Sequence, residues 1–242
     1  MILSQDGQNH LPQPVRTDSL ASQAFTIIKD AIFTGQFQPG QLLRELHLAR
    51  MLNVSQATIR EALVQLEQVG LVVREQNRHT MVTNFSREEV RDRLHIRIAL
   101  EELAAVEASS SMTETDLDEL SRLAGEIAKT VSQGDWFENV RADIRFHELI
   151  WNHAGSPILA KMLSQLTTPL FAFLAVLHQA GMHNIQATSP HEEIVKAIRA
   201  KDPESIRKHM RSHVEGSYQE FLVSDVARMD GLVTKKAVAA EA

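Results

Sequence analysis

The sequence predicts a mainly α-helical protein, with an N-terminal winged helix-turn-helix that carries a small β-hairpin wing and a C-terminal all-α helical bundle. Between Arg44 and Val82, two short segments with apolar residues at helical spacing are followed by two β-rich runs. Residues that start helices recur from Ser86 onward, and strand signals are absent after Val82. A chain of 242 residues is long enough for two domains, and we expect each to have its own core.

Composition divides the chain into four segments. Residues 1–15 are polar and rich in Gln, Asn and Pro, which predicts a disordered start. Residues 16–85 form the winged helix-turn-helix, and residues 86–227 form the helical bundle. Residues 228–242 are rich in Ala and Val and predict a frayed tail.

The winged unit is predicted to begin with an amphipathic helix that ends near Gly35. A short helix follows and ends at Asn53, a residue that tolerates the left-handed conformation found after helices. Ser55 is a suitable N-cap for the next helix. The inward face of that helix is formed by apolar residues at helical spacing: Ile59, Ala62, Leu63 and Leu66.

The exposed start of this third helix and the hairpin tip carry the candidate DNA-contacting residues. The N-terminal end of a recognition helix reaches base edges, and a wing with an arginine at its tip can follow the phosphate backbone. The candidates are Arg44, Ser55, Gln56, Thr58, Arg60, Arg78 and His79. Because two helices and a hairpin also occur as a packing unit in proteins that bind no DNA, the pattern alone leaves both interpretations open.

The segment from Gly35 to Val82 resembles the N-terminal domain of GntR-type bacterial transcription regulators. The resemblance is carried by Gly40, Leu43, Glu45, Leu48-Ala49, Val54-Ser55, Ile59-Arg60-Glu61-Ala62-Leu63, Leu66 and Gly70-Leu71. It implies binding to a DNA operator. Gln56 and His79 stand where the family often has Arg and Gly, so we expect a different operator sequence and a different position of the wing on DNA.

Charge and composition set limits on partners and compartment. The net charge is -6, and residues 1–85 carry seven basic and seven acidic side chains, so DNA affinity must depend on local arginine placement and on homodimerisation. The chain has no cysteine, which excludes disulfides and thiolate metal ligands. No signal pattern is present, and the apolar run Pro169–Leu177 is too short to span a bilayer. We therefore expect a soluble, cytoplasmic protein without a membrane partner.

The bundle is predicted to contain six helices, because six helix-start signals follow the wing. The first is a capping box that begins a helix running to about Ala108. The six starts are Ser86 with Glu89, Thr113 with Asp116, Asp135, Ser156-Pro157, Ser189-Pro190 and Asp202-Pro203.

Four polar residues fall on stripes that should face the bundle core. Asp143 and His147 lie one turn apart on one helix, and His191 and His213 lie on the apolar faces of two others. Burying them separately would be costly, so we expect them to contact one another or a shared cation. Three imidazoles and a carboxylate suit zinc, nickel or manganese, with zinc favoured. A hydrogen-bonded core cluster without metal is the alternative.

These four residues also carry a second resemblance. Asp143 to His147, His191 with the following Ala197-Ile198 and Asp202, and Met210 to His213 resemble the metal-site signature of the FadR C-terminal domain, the ligand-sensing domain of the FadR branch of GntR regulators. The count of six helices resembles the VanR subgroup, and Ser156 departs from the Asn common there. The resemblance implies that these four residues are the metal ligands and that a small organic acid coordinates the metal through its carboxylate.

Arg97 lies on the inward stripe of the first bundle helix, where a guanidinium could hold the effector's carboxylate. An internal pair with Glu101, one turn on, is an equally good interpretation. We expect a non-enzymatic DNA-binding regulator, with repression as its mode of action. Two alternatives are a metal-dependent hydrolase, for which Glu101 is the only inward candidate base, and a regulator with a purely structural metal.

Overall fold

The computed structural model describes residues 19–74, 79–179 and 191–223. Over these residues the chain forms nine α-helices and three short strands. In chain order they are α1 (Leu20–Phe33), β1 (Leu42–Leu43), α2 (Glu45–Leu52), α3 (Gln56–Gln68), β2 (Val72–Arg74), β3 (Thr80–Val82), α4 (Arg87–Ser111), α5 (Glu114–Gln133), α6 (Trp136–His153), α7 (Pro157–Gln179), α8 (His191–Ala200) and α9 (Pro203–Val223). The predicted fold class is confirmed. The segments 1–15 and 228–242, which we expect to be disordered or frayed, lie outside the described residues.

The helix-turn-helix forms as its capping residues predict. Asn53 ends α2 in the left-handed conformation, with φ 53°. The Ser55 side chain then caps α3 by accepting a hydrogen bond of 3.1 Å from the amide of Thr58. The inward face of α3 is fully buried in the same cluster as α1. This packing fixes the exposed end of α3 relative to the rest of the domain.

The wing is a three-stranded antiparallel sheet in the order β1-β3-β2. Leu42 pairs with Met81, and Val72 pairs with Val82. Strand β1 is not predicted by the sequence, because two residues are too few to show the alternation that identifies a strand. The wing tip, residues 75–78, lies outside the described residues and includes Arg78.

Over the described residues the bundle contains six helices, α4 to α9, the number that the sequence predicts. Capping boxes are present at Ser86 and at Thr113, where the side chain accepts from the backbone amide of the third helical residue and the backbone amide donates to that residue's carboxylate. Helix α4 ends at Ser111, slightly later than the sequence predicts. The predicted start at Ser189-Pro190 lies outside the described residues, which resume with α8.

Helix α7 joins the two parts of the molecule. Phe171, Ala172 and Ala175 of α7 belong to the hydrophobic cluster of the winged domain, whereas Leu170 and other residues of the same helix belong to the bundle core. Each part of the chain thus has its own hydrophobic cluster, and α7 contributes to both, which the sequence does not predict. The physical reason is that α7 is apolar on more than one face, so it buries its side chains in two directions.

The contact between Gly70 and α7 is close. Gly70 has φ 76°, a conformation that favours glycine, and a Cβ atom there would lie 2.9 Å from Cγ of Pro169. Gln165 of α7 also donates a hydrogen bond of 2.8 Å to the carbonyl of Gln68. The end of α3 is thus fixed directly against the bundle.

By length and composition alone, α7 could also cross a membrane, which the sequence analysis did not expect. In the structure, 61% of its most apolar window is buried inside the protein. Because α7 packs against both α1 and the bundle, its apolar character is that of a central core helix.

Candidate metal centre and DNA-reading surface

Asp143, His147, His191 and His213 meet at one place in the bundle. Asp143 and His147 lie one turn apart on α6, His191 is the first residue of α8, and His213 lies on α9. One potential ligand atom from each of the four lies within 4.8 Å of the others. His147 and His213 are buried, whereas Asp143 and His191 are slightly exposed. The structure therefore brings together all four residues that the sequence selects as metal ligands.

The contacts within this cluster are short. His191 Nε2 donates to Asp143 Oδ1 at 2.7 Å, and the Nε2 atoms of His147 and His213 are 3.1 Å apart. His147 Nε2 lies 3.8 Å from Asp143 Oδ1. Zinc binds imidazole nitrogen and carboxylate oxygen at about 2.0 to 2.2 Å, so small side-chain movements would bring all four atoms onto one cation. The donor set fits a borderline divalent metal.

Burial and neighbouring charge set the protonation of the cluster. Burial lowers the pKa of His213 well below its ordinary value, and the charge of His191 lowers it further, so His213 is neutral and keeps a lone pair for a metal. Burial by itself would raise the pKa of Asp143, but the hydrogen bond and charge of His191 outweigh it and lower that pKa. The cluster therefore offers an ionised carboxylate beside a neutral imidazole.

A second layer of polar residues surrounds His147. Glu101 Oε2 lies 3.1 Å from His147 Nδ1 and also accepts a hydrogen bond of 2.7 Å from Trp151 Nε1. Arg97 Nε donates to Glu101 Oε1 at 3.2 Å, and Arg97 Nη2 lies 3.3 Å from His147 Nε2. Arg97 thus makes the internal pair with Glu101 and at the same time adjoins the metal cluster.

Two aromatic residues hold the Arg97 guanidinium in place, and the sequence analysis did not assign either of them to the site. Tyr218 accepts a hydrogen bond of 2.9 Å from Arg97 Nη1, and the guanidinium carbon lies 4.8 Å from the ring centroid of Phe171. Tyr218 continues the stripe of Met210 and Val214 on α9, so helical spacing could have placed it inside the bundle. Nothing in the sequence indicates its partner.

Both members of the buried pair are charged. Burial by itself would raise the pKa of Glu101, but the contact with His147, the charge of Arg97 and the hydrogen bond from Trp151 outweigh it and lower that pKa. Burial opposes the charge of Arg97, yet its contacts with Tyr218 and Glu101 keep its pKa above the ordinary value. An ion pair is therefore present next to the four candidate metal ligands.

The candidate DNA-contacting residues occupy an exposed surface, as far as the described residues show. Arg44, Ser55, Gln56, Arg60 and His79 are exposed, and Thr58 is half-buried behind its hydrogen bond to Ser55. These residues lie at the starts of α2 and α3 and beside the wing.

Arg60 has a protein partner that the sequence analysis did not foresee. Its Nε and Nη2 atoms donate to the two carboxylate oxygens of Glu45 at 3.2 Å and 2.8 Å. Two donor groups of the Arg60 guanidinium are therefore already hydrogen-bonded to a carboxylate of α2. The charge of Glu45 and these hydrogen bonds raise the pKa of Arg60, so the arginine is a permanent cation on this surface.

Both parts of the chain match known protein families. Residues 20–82 match the bacterial regulatory proteins of the gntR family, and residues 92–216 match the FCD domain. The uncharacterised HTH-type transcriptional regulator YdhC of Bacillus subtilis (strain 168) is 28% identical over 193 residues, covering 79% of this chain and 86% of that protein. The HTH-type transcriptional regulator McbR of Escherichia coli (strain K12) is 26% identical over 211 residues, covering 84% and 95%. The solved structure of E. coli McbR/YncC has a TM-score of 0.68 at 25% identity, and the match covers 85% of this chain and 100% of that one.

Proposed function

Because the chain belongs to the GntR family of bacterial regulatory proteins and carries an FCD domain, we propose that it is a transcription repressor whose operator affinity responds to a metal ion and a small carboxylate in the bundle. The observation that carries the proposal is the convergence of four potential metal ligands beside a buried arginine. They lie in the domain that follows the reading head, the part of the winged domain formed by α2, α3 and the wing. Asp143, His147, His191 and His213 would hold the metal, with zinc favoured over nickel or manganese. The metal would supply a fixed positive charge that attracts a carboxylate.

Arg97 is the residue we propose for the second contact to the effector. Its guanidinium lies against His147, so an anion held at the metal would be within its reach. Arginine suits this role because its charge is permanent and its donors form a planar fork. Coupling between sites typically amounts to about 5- to 150-fold in affinity, and we expect the effector to change operator affinity within that range.

Contacts of the bundle support coupling to the reading head. Phe171 contacts Arg97 and lies 5.9 Å from His147, measured between ring centroids, and it also belongs to the hydrophobic cluster of the winged domain. Four residues separate the end of β3 from the start of α4, the helix that carries Arg97. A change in the position of α4, or of α7, which carries Phe171, would therefore be transmitted to the reading head.

We propose that the protein binds a two-fold symmetric operator as a homodimer, because one small reading head makes too few contacts for specific binding. Ile96 and Leu103 on α4, and Ile158 and Met162 on α7, are each at least 47% exposed. Leu100, between the first two, packs against the buried cluster that α7 helps to form, so the two exposed pairs lie near each other. A second copy of the chain is the partner proposed for this apolar surface. Sedimentation with and without operator tests it, and a monomer under both conditions would contradict it.

A hydrolase is a weaker alternative, since its general base would have to be Glu101. That carboxylate already accepts hydrogen bonds from Arg97 and Trp151 and contacts His147. A base needs a free lone pair directed at water. The relatives are named as transcription regulators, which agrees with a role without turnover.

The test of the metal site uses His147→Ala and His213→Ala, with His95→Ala, an exposed histidine on α4, as the control. Protein purified without an affinity tag is analysed for transition metals, and operator binding is measured on a selected DNA site. We expect the first two variants to lose the metal and still bind operator, because the reading head lies elsewhere. If the wild type contains no metal and cannot be loaded, the four residues are a hydrogen-bonded core cluster instead.

A further inference from the structure

We infer that Arg97 and the bound metal compete for one lone pair, on Nε2 of His147, so that the anion site at Arg97 opens only in the metal-loaded protein. The inference rests on the proposed metal site. It goes beyond that site because it assigns Arg97 a second role, as the cation that occupies His147 when no metal is bound.

The tautomer of His147 follows from its partners. Glu101 is an ionised carboxylate, which can only accept hydrogen bonds, so His147 Nδ1 at 3.1 Å must carry the proton. Trp151 Nε1 donates to the same oxygen of Glu101 and holds it in place. Nε2 is the acceptor for the Arg97 guanidinium, which can only donate, so the lone pair of His147 is on Nε2 and is directed toward the cluster.

The Arg97 guanidinium can only donate, so its contact of 3.3 Å with His147 Nε2 uses that lone pair. His213 Nε2 approaches the same atom at 3.1 Å. An imidazole nitrogen has one lone pair in the ring plane, and a metal ligand must direct it at the metal. Ligation of a metal at His147 thus removes the acceptor of Arg97 Nη2.

The Arg97 side chain cannot reorient to find another acceptor for Nη2. Its Nε is held by Glu101 and its Nη1 by Tyr218, while Phe171 covers the guanidinium face. The side chain is buried, so water does not readily supply the missing acceptor. A buried donor without an acceptor is unfavourable. A small carboxylate supplies the missing acceptor. One of its oxygens can accept from Arg97 Nη2 while the other faces the metal.

The first experiment uses the wild-type protein and acetate as the probe. Acetate is titrated calorimetrically into zinc-loaded protein and into protein stripped with a chelator. We expect acetate to bind the zinc-loaded form and to bind the stripped form at least about tenfold more weakly, which corresponds to one net hydrogen bond. Equal binding to both forms, or no binding to the zinc-loaded form, would overturn the inference. Failure of the wild type to bind zinc would instead contradict the proposed function itself.

The second experiment measures zinc affinity in Arg97→Leu. Removing the competitor should strengthen zinc binding by about tenfold, while acetate binding to the zinc-loaded variant weakens. Arg93→Leu is the matched control, because Arg93 lies one turn earlier on α4 and packs over Phe85, outside the cluster; we expect its zinc affinity to equal that of the wild type. If the zinc affinity of Arg97→Leu is equal to or lower than that of the wild type, Arg97 does not compete with the metal for His147. That result would overturn the inference. Should Arg97→Leu fail to fold, the acetate titration of the wild type decides.

Discussion

Two arginine–glutamate pairs in this protein have similar chemistry and opposite surroundings. Arg60 on α3 holds Glu45 of α2 at the surface, where the two side chains are 57% and 31% exposed. Arg97 holds Glu101 one turn along α4, where they are 1% and 0% exposed. Water competes for the first pair, whereas the second depends on protein partners because it is sealed inside the bundle.

The difference in burial fits the roles proposed for the two arginines, DNA contact for Arg60 and effector binding for Arg97. Exposed ion pairs contribute little to stability, so Arg60 can exchange Glu45 for a base edge at low cost. A buried pair cannot be opened without leaving an uncompensated charge, so Arg97 must stay in place while its surroundings change. Under the proposed function, the same pair of residue types would give a movable DNA contact in one domain and a fixed anion contact in the other.

The largest effect that follows from this comparison is on stability. Arg97→Ala should lower the free energy of unfolding by about 3 to 5 kcal/mol, because it leaves the Glu101 carboxylate buried without the guanidinium of its ion pair. Urea denaturation measures the change. Replacing both residues, as Arg97→Met with Glu101→Leu, should recover most of the loss, since no unpaired charge is then buried. A loss below about 1 kcal/mol in Arg97→Ala would mean that His147 and Trp151 satisfy Glu101 without the arginine.

The sequence predicted the convergence of the four candidate metal ligands because these residues follow helical periods. Asp143 and His147 are one turn apart, and His191 and His213 sit on stripes that are otherwise apolar, so all four had to point inward. For Arg97 the sequence left two interpretations open, an anion site or a pair with Glu101. The structure shows the pair and places it against the cluster, so the two interpretations are not exclusive.

Long-range contacts were not predictable in the same way. The hydroxyl of Tyr218 bonds a guanidinium 121 residues away, and periodicity identifies a buried face without identifying what covers it. The same limit explains why the contribution of α7 to both cores was not predicted, since its apolar run does not reveal that Phe171 packs toward the winged domain. The Arg60–Glu45 pair was missed because its two residues lie on different helices.

The next effect in size concerns specific DNA binding. Arg60→Ala should weaken binding to a selected operator by about 5- to 150-fold, because it removes a base contact at each half-site. Arg78→Ala should weaken binding to all sequences more evenly, since a wing arginine is expected to contact phosphate. Gel-shift titrations on the operator and on unrelated DNA separate the two. Arg122→Ala, an exposed ion-paired arginine on α5, serves as the control. Unchanged operator affinity in Arg60→Ala would remove Arg60 from the reading surface.

The smallest effect is expected for Glu45→Gln, and it tests whether Arg60 is free to change partners. If the pair with Glu45 is easily opened, removing the carboxylate should leave the denaturation midpoint nearly unchanged. Operator affinity should stay within about threefold of the wild type or rise, because a negative charge near the DNA phosphates is lost. Glu67→Gln is the matched control, because it breaks another exposed pair in the same domain, with Arg74 at 3.3 Å, and changes the charge equally. Fluorescence anisotropy with labelled operator gives the affinities. If Glu45→Gln instead weakens operator binding as much as Arg60→Ala does, Glu45 must hold Arg60 in its reading position, and the surface pair is then a fixed part of the reading head.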